Sequence, residues 1–482
     1  MNIFSIKIKN SQQGLSTLEM LIAMTIIVLV IGSVLPLVSV GQSTSIDSQT
    51  NQEALYLAKT RIEDARATAK SDYNSVTSET FSVPENFYQE ERIIDPASIT
   101  QCGKNVESHA WINGRLTTAS LLTRITDLFT AKALGGDCAI NPPSGDWSRP
   151  IELYSKNFEK ATDIDVLNKK AYLTFVDNPD SKPDLAIIDI TSDISPQILF
   201  NGNINNSPGF NAIDVFTSAN GKSYAYIANN SPTNQLMVID VSNPSTPILV
   251  SSKTLPNLTN GIPRSIFYYD KKIYIGTKYV PCVSCVPEKN NEFHIYNVSD
   301  PANPTWEGSI DVERNVNAII VQDGLAYLAT GPGSNDNPLK KYDLDTGQEI
   351  GSFVATGDEQ GTSLFLLNGK IYLGLERATG GRHDFYILDT TNLSVVNSIN
   401  LGLNSGAQVS GIRVVGSLAF LGISDPNDGL QIRDISKPTI DLINNIESFK
   451  IQQNVSGVDM DNNRVYLSAS SGSTNFIFVG PS

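Results

Sequence analysis

Ala225-Tyr-Ile-Ala-Asn229, followed by Leu236-Met-Val-Ile-Asp-Val241, is one copy of a pattern that recurs along most of this chain. The recurrence starts near Arg149, continues to the end of the sequence and has a period of about 49 residues. Its aromatic position occurs seven times, at Tyr172, Tyr226, Tyr274, Tyr327, Tyr372, Phe420 and Tyr466. Such a repeat predicts a structure built from seven similar units.

Two further columns accompany the aromatic one. An aliphatic column lies about eight residues before it, at Ile164, Ile213, Ile266, Ile319, Leu364, Ile412 and Val458. Small or short residues precede that column, at Asp163, Ala212, Ser265, Ala318, Ser363, Gly411 and Gly457. Three strands and a turn-rich fourth, repeated seven times, predict a mainly β fold, a seven-bladed β-propeller over residues 148–482. Small residues fit strands that converge on an axis, and the larger columns fill the contacts between blades.

The two ends of the repeat region predict how the ring closes. The seventh copy ends with Asn475-Phe-Ile-Phe-Val-Gly480, after its third strand. Pro150-Ile-Glu-Leu-Tyr-Ser-Lys-Asn-Phe158 lies upstream of the first copy and can supply the missing fourth strand. Pairing these segments would remove an open sheet edge.

The third strand and its turn carry a family resemblance. Val238-Ile-Asp-Val-Ser-Asn-Pro244 and Ile295-Tyr-Asn-Val-Ser-Asp-Pro301 resemble the LVIVD repeat of bacterial surface propellers. The match is weaker in the fifth and seventh copies. The resemblance implies the fold and leaves the ligand open, because propellers serve many functions.

The N-terminal region has a different character. Gly14-Leu-Ser-Thr-Leu-Glu19 precedes the uncharged run Met20–Val40, which is long enough to cross a bilayer as a helix. Lys7 and Lys9 on the short leader predict a single-pass membrane protein with its N-terminus in the cytoplasm. Glu19 is a costly carboxylate within an apolar helix, which favours a functional role.

This arrangement resembles a type IV prepilin signal, with Gly14, Leu15 and Glu19 as processing residues and Pro36 where many pilins have a helix-kinking proline. Leu15 departs from the family, which usually has Phe there. The resemblance implies that a prepilin peptidase cuts after Gly14 and that Leu15 is methylated. It also implies that the helix packs with other pilin subunits, where Glu19 pairs with a neighbouring N-terminal amine. An ordinary signal peptide and a plain signal anchor are the alternatives.

Between the membrane segment and the repeats, the sequence predicts two elements. Apolar positions at helical spacing extend the pilin-like stem helix to Lys70, giving a leader over 1–14 and a stem over 15–70. A generic solvated helix is the alternative for its second half. Residues 71–147 are expected to form a small α+β head or connector. In it, Arg115 to Leu134 is predicted to be helical, with Leu116, Leu122 and Ile125 on one face.

Composition limits the classes of partner. The 482 residues have a formal net charge of −15, or −17 once Lys7 and Lys9 are lost with the leader. An acidic chain without a basic stripe argues against nucleic-acid binding. An even number of cysteines in an exported chain suggests disulfides Cys102–Cys138 and Cys282–Cys285. Free or redox-active thiols and a metal site are the alternatives for these cysteines.

A candidate binding face follows from strand direction. The loops between blades and the loops between second and third strands share one face of a propeller. Its polar ring consists of Thr162, Asn211, Arg264, Asn317, Thr362, Ser410 and Ser456. Lys278, Tyr279, Arg377, Arg382 and His383 lie on neighbouring loops. We expect this face to bind an extracellular glycan or protein loop; a water-filled channel mouth is the alternative.

Cofactor and catalytic signals are weak. Acidic turns at Asp343–Gly347 and Asp459–Asn463 keep calcium open as an alternative, although neither matches the twelve-residue calcium loop. No metal and no catalytic set is predicted. The sequence therefore predicts a minor pilin-like adhesion protein of the bacterial surface, present in the membrane before assembly and then at a filament tip. A secretion pseudopilin that contacts cargo and a membrane-tethered hydrolase of surface glycans are the alternatives.

Overall fold

The computed structural model describes residues 49–69, 73–82, 88–99, 102–112, 119–126, 145–176, 182–204, 207–218, 221–256, 258, 261–280, 291–331, 337–355, 359–376, 382–437, 439–442, 451–461, 463–471 and 474–482. The chain divides into two compact units. The first contains Met1–Ser98 and Lys104–Ile125, and the second contains Ile99–Gly103 and Thr126–Ser482.

The first unit combines a helix with a sheet. The described part of helix α1 spans residues 49–69. The sheet has the strand order β1 (Glu79–Ser82), β2 (Tyr88–Ile94), β3 (Gly103–Ile112) and β4 (Ala119–Thr126). Short 3-10 helices lie at Tyr73–Ser75 and Pro96–Ser98.

Helix α1 buries one apolar face against this sheet. Ala54, Ala58, Ile62 and Ala65 are buried, and they belong to two clusters with Tyr88, Ile94, Val106, Ala110 and Ile125 of the strands. The predicted amphipathic helix is therefore confirmed over residues 49–69. Small alanines on this face allow the helix to approach the sheet closely.

The predicted helix over Arg115–Leu134 is wrong where the structure describes it, because residues 119–126 form strand β4. Ala119, Leu121 and Ile125 point to the buried side and Leu122 is 68% exposed. The apolar spacing therefore follows the two-residue period of a strand, and the spacing from Leu122 to Ile125 alone also fits a helix.

In the described residues, the second unit contains seven four-stranded antiparallel sheets, numbered here by the order of their first strands. Sheet 1 has β6 (Ala161–Leu167), β7 (Lys170–Phe175), β8 (Leu185–Asp189) and β9 (Gln197–Gly202); sheet 2 has β10 (Phe210–Thr217), β11 (Ser223–Asn229), β12 (Leu236–Asp240) and β13 (Ile248–Lys253); sheet 3 has β14 (Pro263–Tyr269), β15 (Lys272–Thr277), β16 (Phe293–Asn297) and β17 (Thr305–Ile310); sheet 4 has β18 (Val316–Gln322), β19 (Leu325–Thr330), β20 (Leu339–Asp343) and β21 (Gln348–Phe353). Sheet 5 has β22 (Gly361–Leu367), β23 (Lys370–Leu375), β24 (Phe385–Asp389) and β25 (Val395–Ile399); sheet 6 has β26 (Val409–Val415), β27 (Leu418–Ile423), β28 (Leu430–Asp434) and β29 (Asp441–Leu442); sheet 7 has β30 (Val455–Asp461), β31 (Arg464–Ala469), β32 (Phe476–Gly480) and β5 (Ile151–Lys156).

These sheets follow one another in a closed cycle. Each first strand packs against the first strand of the next sheet, and β30 of sheet 7 returns to β6 of sheet 1. The predicted closing strand is confirmed, since β5 pairs with β32 in the register Ile151 with Gly480 and Lys156 with Phe476. The second unit is therefore mainly β, with a propeller-like arrangement of sheets.

The repeat columns form the core between sheets. Every member of the aromatic column is at most 5% exposed, and every member of the aliphatic column is at most 9% exposed. The hydrophobic clusters join neighbouring sheets; one of them combines Tyr172 of sheet 1 with Ile213 and Ile227 of sheet 2.

The predicted leader, the membrane segment Met20–Val40 and the first half of the stem lie outside the described residues. Within the residues that are described, no helix is long and apolar enough to span a bilayer.

Candidate functional site

The seven residues of the predicted polar ring occupy equivalent places in the seven first strands. In each strand the pairing register with the second strand slips at this one residue, as it does between Ala161 and Asp163 around Thr162. These positions are β-bulges, which leave one residue out of the ladder and turn its side chain in a new direction. The structure thus places the predicted ring at a single level of the second unit.

Six of the seven ring residues bind the next sheet. Each side chain donates a hydrogen bond to the backbone carbonyl that precedes the next bulge. These bonds are Thr162 to Phe210 at 2.6 Å, Asn211 to Pro263 at 2.7 Å, Asn317 to Gly361 at 2.8 Å, Thr362 to Val409 at 2.7 Å, Ser410 to Val455 at 2.6 Å and Ser456 to Ala161 at 2.8 Å. The last of them connects sheet 7 to sheet 1.

Sheet 3 makes the same connection with a different residue. The Oγ of Ser265 donates to the carbonyl of Val316 at 3.0 Å, so Arg264 is not needed for the bond to sheet 4. Ser363 of sheet 5 makes the equivalent bond to Val409 at 2.7 Å. With Ser265 included, side-chain hydrogen bonds connect all seven sheets in a closed cycle, which we call the bulge ring.

Arg264 is the ring residue that has no such task. It is exposed, and within the described part of the chain it has no hydrogen bond or ion pair. Nearby protein partly shields its guanidinium from water, which lowers the pKa of Arg264.

A second set of side chains connects the first strands deeper along the same strands. The carboxylates of Asp459, Asp165 and Asp214 accept the backbone N–H groups of Val166, Val215 and Tyr268, each in the next sheet. Arg413 of sheet 6 donates from Nε to Oδ1 of Asp459 at 2.7 Å, and its guanidinium lies 5.8 Å from the ring centroid of Phe365. Buried carboxylates are tolerable here because charged or backbone donors satisfy them.

Asp163 is a further carboxylate of the first strands, and it accepts a backbone N–H group of the next sheet. The first strands enclose it, and this burial, with the nearby negative charge of Asp459, raises the pKa of Asp163 to about 6. The N–H groups of Ile164 and Ile213 and the charge of Arg413 act in the opposite direction. Asp163 therefore contributes to the contact between sheets 1 and 2, and it is uncharged in part of the molecules near neutral pH.

Another repeated device was missed by the sequence analysis. The residue directly before the third strand accepts the backbone N–H of the residue two positions after the fourth strand. This position is occupied by Asp184, Gln235, Glu292, Asp384 and Asn475, which bind Ile204, Leu255, Val312, Leu401 and Phe158. All five are at most 3% exposed. The sequence signal was an acid or amide before five of the seven third strands, a column whose members share only a carbonyl-type oxygen; Pro338 and Gly429 occupy the position in sheets 4 and 6.

The described members of the predicted loop set each contact a different partner. Lys278 is exposed, and its backbone N–H donates a hydrogen bond to the carbonyl of Ile262. The backbone N–H of Tyr279 donates to Asn315 Oδ1 at 2.9 Å. Arg382 pairs with Glu359 at 3.3 Å, and Nδ1 of His383 lies 2.7 Å from the hydroxyl of Ser398. Arg377 lies outside the described residues.

The cysteine predictions are only partly covered. Cys102 is fully buried and disulfide-bonded. Cys138, Cys282 and Cys285 lie outside the described residues. The two pairings therefore stay predictions.

Both acidic turns use their carboxylates for structure. Oδ1 of Asp343 accepts the N–H and the hydroxyl of Thr346, and Asp461 pairs with Lys169 at 3.0 Å. Among the described residues, no group of three or more His, Cys, Asp and Glu side chains is arranged to hold a metal ion.

Each of the three histidines contacts a different partner. His109 lies 3.4 Å from Glu107 in the first unit. His294 is fully buried with Nε2 against the carbonyl of Asn291, and burial lowers its pKa to about 4. His383 contacts Ser398. None of these contacts joins a histidine to both a nucleophile and an orienting carboxylate.

Comparisons with known proteins concern the second unit. A sequence model of the LVIVD repeat matches residues 212–254 and 284–312. A search of curated protein sequences gives no significant match.

Solved structures similar to the chain include the Pan2 WD40 domain of Neurospora crassa (12% identity, 70% of this chain, 98% of that chain, TM-score 0.48), virginiamycin B lyase of Staphylococcus aureus (11%, 68%, 97%, 0.46) and BamB of Moraxella catarrhalis (14%, 67%, 84%, 0.41). At these identities and TM-scores, the likeness carries no inference about function.

The bulge ring predicts unequal effects of two neighbouring kinds of substitution. Ser456→Ala removes the bulge-ring bond from sheet 7 to sheet 1 and leaves the carbonyl of Ala161 without that partner, so we expect the free energy of unfolding to fall by about 1 kcal/mol. Arg264→Ala removes no bond, so we expect a change within about 0.5 kcal/mol. Urea denaturation of the full chain measures both. An equal loss in the two variants would contradict the assignment of structural roles.

Glu292 predicts a pH dependence of stability. Burial, with a smaller contribution from the charge of Asp311, raises its pKa from 4.5 to about 7. The folded chain therefore holds this proton more tightly than the unfolded chain, and stability falls as pH rises from about 4.5 through 7. Glu292→Gln keeps an oxygen for the N–H of Val312, as Gln235 does for Leu255, and it cannot ionise.

The melting temperatures of the full chain and of Glu292→Gln measure this effect at pH 5 and pH 8. We expect the variant to gain stability relative to the original chain at the higher pH, by up to ~3 kcal/mol. A difference between the two proteins that stays constant with pH would show that Glu292 does not titrate in this range.

Proposed function

We propose that this chain is a minor type IV pilin-like surface protein that displays a seven-bladed β-propeller for adhesion, at the tip of a filament. The blade count is supported by the seven sheets and by the closed cycle of their first strands. The observation that carries the proposal is the union, in one chain, of a prepilin-like N-terminus and a ring-shaped head region.

The pilin half rests on the sequence. Gly14 and Glu19 match the prepilin pattern, with Leu15 where the family usually has Phe, and Met20–Val40 can span the inner membrane before assembly. The described helix over residues 49–69 supports a stem that continues beyond the membrane. The sheet of the first unit covers the alanine-rich face of this helix. Other pilin subunits would then contact the apolar N-terminal half.

The binding half rests on the polar side chains of the bulge ring. An extracellular partner that reaches this level of the second unit would meet hydroxyl and amide groups and the cation of Arg264. The described histidines form no catalytic set, so we propose binding as the task of this surface. The tip position follows from size, since a head of this length in every subunit would crowd a helical filament.

Attachment of cells tests this proposal. In a strain that lacks the chain, we expect the full chain to restore attachment and residues 1–147 alone to fail. Antibody against residues 49–69 measures whether both forms reach the surface in equal amount, which serves as the control. Full attachment with residues 1–147 alone would contradict a binding role for the propeller.

A further inference from the structure

We propose that Arg264 binds an anion and that the ligand of the propeller face that carries the bulge ring is an acidic sugar. The carboxylate of the sugar would pair with Arg264. This inference rests on the proposed binding function and deepens it by naming the ligand class.

The side chain at position 264 is not needed to connect two sheets. At the other six equivalent positions, the side chain connects two sheets, and hydroxyl or amide groups of modest size do so. In sheet 3, Ser265 makes the connection instead. A long cationic side chain at this bulge therefore has no role in holding the ring together.

The guanidinium of Arg264 has no charged partner among the described residues. The chain has 50 acidic residues against 35 Lys and Arg, yet no described carboxylate pairs with Arg264. Arg264 is exposed, so its guanidinium is accessible to a ligand. A guanidinium that no carboxylate of the described chain neutralises can pair with a bound anion. The planar guanidinium suits a carboxylate, which it can bind through two parallel hydrogen bonds.

Four other residues of the ring present hydroxyl groups at the same level as Arg264. The hydroxyls of Thr162, Thr362, Ser410 and Ser456 already use their protons on backbone carbonyls. The oxygens of Thr162 and Ser456 also contact the hydroxyls of Thr174 and Ser468, so what each ring hydroxyl still offers is at least one lone pair as an acceptor. Acceptors suit a ligand rich in hydroxyl donors, and they do not suit the carbonyls of a peptide backbone. A sugar that carries one carboxylate combines both requirements.

Calorimetry on the purified full chain tests this at low ionic strength. The probes are a short oligosaccharide of glucuronate, the same oligosaccharide of glucose, and a glutamate peptide of equal charge. We expect the glucuronate probe to bind best and Arg264→Ala to weaken that binding about tenfold, the loss of one charge-assisted contact. Lys222→Ala is the matched control, because Lys222 is an exposed cation at the opposite end of the first and second strands of sheet 2, and it should leave affinity unchanged.

Several results would overturn the inference: no binding of glucuronate, equal binding by the Arg264→Ala protein, or better binding of the glutamate peptide. Cells separate this failure from that of the proposed function. If Arg264→Ala cells attach fully while cells with residues 1–147 alone do not, adhesion by the propeller stands and the acidic-sugar inference falls. If both attach fully, the proposed function itself is wrong.

Discussion

The bulge ring is the interaction on which the second unit depends. One side-chain donor in each first strand reaches the carbonyl before the next bulge, and the cycle ends where Ser456 binds Ala161. Each bond contributes on the order of 1 kcal/mol, but together they fix the relative position of all seven sheets. The β-bulge makes this possible, because it takes one residue per strand out of the ladder. Pairing of β5 with β32 closes the outer side of the same cycle.

Most of the polar side chains described above bond to other parts of the second unit, which limits the residues that can bind a partner. Carboxylates in the second unit accept backbone N–H groups between sheets, as Asp459 does from Val166, or between strands and loops, as Glu292 does from Val312. The bulge-ring hydroxyls and amides instead donate to backbone carbonyls of the next sheet. Among the ring residues, all of which the structure describes, Arg264 is the one whose side chain makes no hydrogen bond, which leaves its guanidinium for a partner.

The repeat was readable from the sequence because burial imposes it. Tyr226 and Ile213 recur at fixed spacing since each sheet presents the same two faces to its neighbours. The ring residues could be placed at one level, but their hydrogen bonds could not be foreseen, because they depend on the relative position of separate sheets. The column that includes Gln235 and Glu292 was missed because acids and amides are mixed in it and Pro338 and Gly429 interrupt it. Strand β4 was missed because the three-residue spacing from Leu122 to Ile125 fits one face of a helix, whereas in the strand Leu122 is exposed and Ile125 is buried.

The central claim is that a prepilin-type subunit carries this propeller to the cell surface. The mass of the N-terminal peptide of the protein, purified from its own cells, tests it most directly. The account predicts a chain that begins at methylated Leu15, because Gly14 and Glu19 match the pattern that a prepilin peptidase and methylase recognise. A chain that still begins at Met1 would contradict the account and would make the molecule a membrane-tethered propeller.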